Sequence, residues 1–307
     1  MNHPEIIHVA IGFDRNYLKP VYSLLCSLTM HHDFGQIVVH AIAEGLTDKE
    51  KLDITRFVEN SGNRIHYYQI DKSLVNRFVL SNQWTPVVYY RLFFTAVIDE
   101  SIRRLLYLDC DTIVTKSLWP LFSIGMEQYP VAAVYDNYVK TQPLIDIVEE
   151  GEYFNSGVLL IDVKKWKQQN VSDQACQYLL KNPENILFVD QCALNVVLRN
   201  NWKKLDSRFN LMYSSLPEPL DKNQIHGLLK ENVVVHYTLQ RPWQMLCKNR
   251  LRNLYFLYLK RSGADQQWHG YTDFEVRKTP AWIKIRLNEF YFDLPYLRKM
   301  WRSIQAK

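Results

Sequence analysis

Two acidic residues one apart, Asp109 and Asp111, close the apolar run Leu105-Leu106-Tyr107-Leu108. In an extended chain alternate side chains share a face, so both carboxylates can approach one hard cation. Oxygen ligands of this kind suit Mg²⁺ or Mn²⁺ and leave positions for water or phosphate oxygens. The chemistry such a site serves is Lewis-acid stabilisation of a negatively charged leaving group, a nucleoside diphosphate for example. The competing reading is a pair of solvated turn residues, and a place at the end of a buried-strand pattern favours the metal.

Other polar residues occupy comparable places. Arg91 interrupts the apolar stretch Val87–Ile98, and a guanidinium there needs an anionic or carbonyl partner to offset desolvation. Asp136 follows the strand pattern 131–135, and Asn155 precedes the pattern 158–161; each is either a turn residue or part of a pocket. Asp190 precedes a helical stretch and is a good N-cap by type, as is Asp14 after the first strand.

The elements that must hold these residues alternate. Strand patterns fall at 6–11, 37–43, 64–70, 104–108, 130–135 and 157–162; helical patterns fall at 18–31, 47–60, 86–98, 172–181 and 191–200. Thr47 with Glu50 three residues on reads as a capping box. This alternation predicts an α/β fold with a mostly parallel sheet and crossover helices. Ligands of such sheets sit at the carboxyl ends of strands, where Asp109, Asp111 and Asp136 lie.

A chain of 307 residues with 47% apolar and 22% charged residues suits one large globular unit. The five cysteines are scattered, with no Cys-x-x-Cys. That excludes a disulfide framework or structural zinc site and predicts a reducing compartment. The first residues lack a signal-peptide pattern, so a cytoplasmic location is expected. The net charge of +5 is uneven: residues 241–307 carry 14 Lys/Arg against 5 Asp/Glu, and residues 1–240 carry 23 against 27. A basic tail on an acidic body points to an anionic partner.

Taken in order, seven short segments give a resemblance to the retaining glycosyltransferases of family 8, which include bacterial lipopolysaccharide galactosyl- and glucosyltransferases and, more distantly, glycogenin. They are Asp14-Arg15-Asn16-Tyr17, Tyr89-Tyr90-Arg91-Leu92, Tyr107-Leu108-Asp109-Cys110-Asp111, Tyr153-Phe154-Asn155-Ser156-Gly157-Val158-Leu159-Leu160, Asp190-Gln191, Ser207-Arg208-Phe209-Asn210, and His236-Tyr237 with Pro242-Trp243. The resemblance implies a nucleotide-diphospho-sugar transferase (GT-A) fold, Rossmann-like, over residues 1–243, with a basic, aromatic C-terminal helical region over 244–307. It implies a metal-dependent transfer of glucose or galactose from a UDP-hexose to a glycan or glycolipid.

Carried over residue by residue, Asp109, Asp111 and His236 would ligate Mn²⁺ or Mg²⁺. Asp14 and Asn16 would contact the nucleoside and Tyr17 would stack on the base. Arg91 would reach toward the donor sugar and the metal carboxylates; Asp136 and Asn155 would line the sugar pocket. Asp190 would bind a sugar hydroxyl, and Gln191 would stabilise an oxocarbenium-like centre during front-side attack. Many relatives read His-x-x-Gly-x-x-Lys-Pro-Trp where this chain has His236-Tyr237-Thr238-Leu239-Gln240-Arg241-Pro242-Trp243. The segment is one residue shorter, without glycine, and places Arg241 where a lysine would meet the diphosphate. The segments expected near the acceptor, 80–86 and 212–219, match no relative, so the acceptor is not legible.

In the tail, Tyr296, Leu297, Met300, Trp301 and Ile304 fall at helical spacing beside Arg298, Lys299 and Arg302. Basic residues with interfacial aromatics predict contact with an anionic membrane surface, making the protein peripheral on the inner face of the cytoplasmic membrane. The other reading packs these aromatics on the domain. Nucleic acid is not an expected partner. Two other functions fit the same residues: extension of a protein-linked glycan, and a non-catalytic nucleotide- or glycan-binding homologue.

Overall fold

The computed structural model describes residues 6–33, 35–80, 85–217, 220–264, 279–294 and 296. Seven strands form the central sheet: β1 (Ile7–Asp14), β2 (Ile37–Glu44), β3 (Arg64–Tyr68), β4 (Arg104–Leu108), β6 (Val131–Tyr135), β7 (Phe154–Asp162) and β8 (Lys203–Lys204). Their order is β3-β2-β1-β4-β7-β6-β8. Only β7 runs against its neighbours. The helices Leu18–Met30 and Asp48–Glu59 cover one face, and Val163–Gln168, Val171–Lys181 and Val189–Val197 cover the other. Two-sided burial explains why these strands read as near-continuous apolar runs rather than alternating ones.

A second sheet is small and decisive. β5 (Thr112–Val114), β9 (Leu211–Met212) and β10 (Val234–His236) lie in the order β5-β10-β9. β10 pairs antiparallel with β5, setting His236 opposite Thr112, and parallel with β9, setting His236 beside Met212. His236 is thereby delivered next to Asp111 from 125 positions away in sequence. A one-residue slip would turn its ring to the opposite face.

The expected elements differ from the observed ones in instructive ways. The 86–98 helix is a 3₁₀ turn, Pro86–Leu92, followed by a short helix, Phe94–Val97. Its Tyr89, Tyr90, Arg91 and Leu92 are buried in succession, a run that a single buried face of an amphipathic helix would not give. β7 starts at Phe154, so Asn155 lies within the strand rather than before it. The extension is held by Asn195, whose side chain accepts from the Phe154 N–H at 2.8 Å and donates to the Phe154 carbonyl at 2.9 Å. The capping box of Thr47 and Glu50 is present. All five cysteines are free and buried.

The chain stays in the body beyond residue 243. The helix Arg252–Ser262 packs Leu251, Tyr255, Tyr258 and Leu259 against Cys26 of the first helix and against Tyr237. Ser23 Oγ donates to the Tyr255 carbonyl at 2.9 Å, and the His31 ring meets the Tyr258 hydroxyl at 2.7 Å. The helix Thr279–Asp293 is fixed by Arg250–Asp293 and Arg252–Glu289 pairs at 2.6 and 2.7 Å.

Candidate active site

Asp109 stands just past β4, its N–H donating to the Gly157 carbonyl at 2.8 Å. Asp111 precedes β5. His236 Nε2 lies 3.2 Å from Asp111 Oδ1 and 3.7 Å from Asp109 Oδ2. One ligand atom from each of the three residues lies within 4.8 Å of the others. Burial opposes ionisation of Asp111, but His236 and then Arg241 outweigh it and hold the carboxyl below its usual range. Burial also opposes the imidazolium of His236, yet Asp111 and Asp109 raise it above its ordinary value.

The residues present fit a divalent cation. Two carboxylates and an imidazole form a hard-cation donor set, and the wall behind them is kept bare. A Cβ on Gly157 would stand 2.2 Å from His236 Cε1 and 2.6 Å from Asp109 Oδ2. Glycine there leaves room for the ligands to converge.

Arg91 is fully engaged. Its Nε meets Asp190 Oδ2 at 2.8 Å, one Nη meets Asp109 Oδ1 at 3.0 Å, and the other donates to Ser156 Oγ at 2.9 Å and to the Ser156 carbonyl. The guanidinium also lies 4.7 Å from the centre of the Tyr107 ring. One buried guanidinium thus joins the Asp109 carboxylate to Asp190. Burial pushes the Asp190 carboxyl up to about 6, with Arg91 opposing and Asp109 adding to the rise. Asp190 does not cap its helix; Phe188 holds that position, and Asp190 lies in the first turn facing Arg91. The preceding Val189 takes a left-handed φ of 37°, a strained conformation for a β-branched residue at a helix start.

Asp136, Asn155 and Gln191 form one hydrogen-bonded group. Asp136 Oδ2 accepts from Asn155 Nδ2 at 3.0 Å and from Gln191 Nε2 at 3.1 Å. Gln191 Oε1 accepts from the Ser156 N–H at 3.0 Å and from Asn155 Nδ2 at 3.2 Å. The backbone donor fixes which end of the Gln191 amide is oxygen.

On the opposite side, Asp14 accepts from the Asn16 N–H at 2.9 Å and caps the turn Arg15–Tyr17. Tyr17 packs edge-on against Trp243, ring centres 5.7 Å apart, with the Arg241 guanidinium 5.8 Å from its ring centre. Arg241 Nε lies 3.5 Å from Asp111 Oδ2, and this buried nitrogen makes no hydrogen bond among the described residues. β10 sets His236 beside Asp111. Two residues on, Thr238 takes a left-handed φ of 43°.

One cavity of about 570 Å³ joins these groups, lined by Tyr17, Arg91, Asp109, Asp111, Asp136, Asn155, Asp190, Gln191, His236 and Arg241 among others. Asp14 and Asn16 are not on its wall. Ser156, Gly157, Tyr107 and Asn210 also stand at the site, with no role that the sequence predicts. All four stand inside quoted segments, but nothing in the sequence says that a serine, a glycine or an asparagine there touches a ligand residue.

A family model described as "Glycosyl transferase family 8" matches residues 8–247. Among relatives, "General stress protein A" of Bacillus subtilis (strain 168) is 28% identical over 271 residues, covering 84% of this chain and 95% of that protein. A "Lipopolysaccharide 1,2-glucosyltransferase" of Escherichia coli (strain K12) is 27% identical over 251 residues, covering 79% of this chain and 74% of that one. Among solved structures, the galactosyltransferase LgtC with donor and acceptor sugar analogs superposes with a TM-score of 0.72 at 22% identity, covering 89% of this chain and 100% of that one. The likeness fixes the fold as GT-A. With a cation-ready acidic pair at the end of β4, a cavity beside it, and a family match across most of the chain, the protein is a glycosyltransferase and belongs to glycosyltransferase family 8.

Proposed function

We propose that this enzyme transfers glucose or galactose from a UDP-hexose to a hydroxyl of a glycan or glycolipid, with retention at the anomeric carbon. The observation that carries the reading is the convergence of Asp109, Asp111 and His236 on the cavity that also reaches Tyr17 and Gln191. Relatives named as lipopolysaccharide glucosyl- and galactosyltransferases support the hexose and the glycolipid.

In this reading Asp109, Asp111 and His236 hold Mn²⁺ or Mg²⁺, which when bound supplies Lewis-acid stabilisation of the departing diphosphate's charge. Tyr17 offers a ring face to the uracil, with Asp14 and Asn16 beside it for the nucleoside. Arg241 adds a permanent positive charge where the leaving group departs. Asp136, Asn155 and Asp190 read the hexose hydroxyls, and Arg91 keeps Asp190 ionised and aimed. Gln191 serves as a fixed dipole beside the anomeric centre. Its amide oxygen already accepts from the Ser156 N–H and from Asn155, which disfavours it as a nucleophile. That supports a front-side route: the acceptor hydroxyl attacks from the leaving-group side, and its proton passes to a departing phosphate oxygen.

The test is release of UDP from UDP-glucose and UDP-galactose, with and without Mn²⁺, in the wild type and in Asp111→Asn. Metal-dependent release from one of the two, abolished by the substitution, is expected. Failure with both would overturn glucose or galactose as the hexose transferred.

We also propose contact with an anionic membrane through the C-terminal region. The helix Thr279–Asp293 leaves Ile283, Leu287 and Phe290 exposed at helical spacing, with Tyr296 exposed after it. Leu297, Arg298, Lys299, Met300, Trp301, Arg302 and Ile304 lie outside the described residues. No described helix is long and apolar enough to cross a membrane, so the expected contact is peripheral, on the cytoplasmic face. Equal binding to anionic liposomes by the full chain and by a chain ending near residue 275 would refute this.

A further inference from the structure

Asn210 follows the turn Ser207–Phe209 and is fully buried. Its amide lies between His236 and Asn155, and its orientation is dictated by the backbone. The Gly157 N–H, a donor that cannot be reversed, points at Asn155 Oδ1 from 3.0 Å. That atom is therefore an acceptor, and the Asn210 nitrogen that meets it at 3.0 Å is the donating end of the Asn210 amide. The remaining end, Asn210 Oδ1, lies 3.0 Å from His236 Nδ1 and can only accept. Nδ1 must then carry the hydrogen. In the neutral ring this leaves the lone pair on Nε2, the nitrogen that faces Asp109 and Asp111.

We propose that Asn210 is a positioning residue that holds His236 in its ligating tautomer and ties that ligand to the sugar side of the cavity. The tie runs through Asn155, whose Nδ2 is shared between Asp136 Oδ2 at 3.0 Å and Gln191 Oε1 at 3.2 Å. The amide is suited to both tasks because it accepts at one end and donates at the other. An outer hydrogen bond that sets the ring's tautomer and direction is what a metal-bound imidazole requires. The metal part of this inference rests on the reading of Asp109, Asp111 and His236 given above.

Two measurements on the full chain test it. The first is the nitrogen-15 spectrum of histidine-labelled, metal-free protein, followed upward in pH until the His236 ring is neutral. His236, assigned by the signal lost in His236→Gln, is expected as the Nδ1–H tautomer. It should shift toward Nε2–H in Asn210→Leu, or in Asn210→Ser should the leucine variant not fold. The second is titration with Mn²⁺ alone, beside the KM for the UDP-sugar. Asn210→Leu should weaken Mn²⁺ binding by about 10- to 100-fold. Asn210→Asp keeps an acceptor for Nδ1–H and loses the donor to Asn155. It should hold Mn²⁺ within about threefold of wild type or tighter, while the UDP-sugar KM rises about tenfold. A merely structural asparagine would not separate the two variants in this way. An Nε2–H ring in the wild type, or an unshifted ring and unchanged Mn²⁺ affinity in Asn210→Leu, would overturn the proposal. Absence of Mn²⁺ binding by the wild type, with or without UDP, would overturn the metal reading, and the spectrum would still decide whether Asn210 governs the tautomer.

Discussion

Position 157 is defined by what cannot stand there. A methyl group would collide with His236 and Asp109, both held from behind by β10 and by Arg91. Gly157→Ala is expected to destabilise the protein by about 1–3 kcal/mol and to abolish saturable Mn²⁺ binding, as thermal melts and metal titration would read. Arg91 is the counterpart among the charges. Arg91→Met would strand Asp190 in the interior, at about 3–5 kcal/mol, and Asp190→Asn added to it should recover part of that loss; a double-mutant cycle in urea measures the coupling. The metal site also has a pH signature. The raised His236 contributes stability to the metal-free protein that is present below the ordinary imidazole range and lost as pH rises through its elevated value. The depressed Asp111 contributes stability present above the ordinary carboxylate value and lost as pH falls through its lowered one. A cation held as proposed would displace the His236 proton, so Mn²⁺ affinity should rise with pH across the former range, with proton release seen by calorimetry in buffers of different ionisation heat. A flat profile would contradict this.

Among the elements, β1, β2 and β3 carry a separate titrating cluster. His8 Nδ1 lies 2.9 Å from His40 Nε2, and His40 Nδ1 lies 2.8 Å from the Tyr68 hydroxyl. Burial, with His8 and His66 nearby, holds His40 down at about 3; burial, with Arg64 and His66, keeps His8 below its ordinary value. Folding therefore favours the neutral rings, and this stability is present above the ordinary imidazole value and lost as pH falls. Each such proton adds about 1.4 kcal/mol per pH unit to the acid limb. His40→Gln should flatten that limb in urea melts at successive pH values. The loop after β10 gives a second element-scale test. Thr238 is β-branched and left-handed, a conformation costing a non-glycine residue on the order of 1–3 kcal/mol. Glycine gives back part of that relief as unfolded-chain entropy, so Thr238→Gly should raise stability by up to about 1 kcal/mol. An unchanged or lower melting temperature would show the loop to be unstrained.

At the scale of the molecule, the GT-A body takes in the helix Arg252–Ser262, whose Tyr255, Tyr258 and Leu259 complete a core with Cys26 and Tyr237. A chain ending at residue 243 should lose cooperative unfolding, because it bares that core behind His236. A chain ending near 275 should melt as a folded protein and release UDP from its donor. Circular dichroism melts of the two separate these outcomes. The sequence by itself determined the alternation of strand and helix, the apolar runs of a sheet buried on both faces, and the acidic pair at the end of β4. Each is written in neighbouring residues by periodicity or spacing. His236, Arg91 and Gln191 could be named from short segments, and the resemblance set His236 with Asp109 and Asp111 and aimed Arg91 at those carboxylates; the supporting roles of Ser156, Gly157 and Asn210 could not be named. Whether Arg91 meets Asp190, or which nitrogen of His236 faces Asp109 and Asp111, depends on strands brought together across the fold. A 3₁₀ turn at Pro86–Leu92 where a helix over 86–98 is expected, a β7 that starts at Phe154, and the β5-β10-β9 register were decided only by tertiary packing. There, burial of polar groups makes nearly every donor find an acceptor, whatever the local pattern prefers.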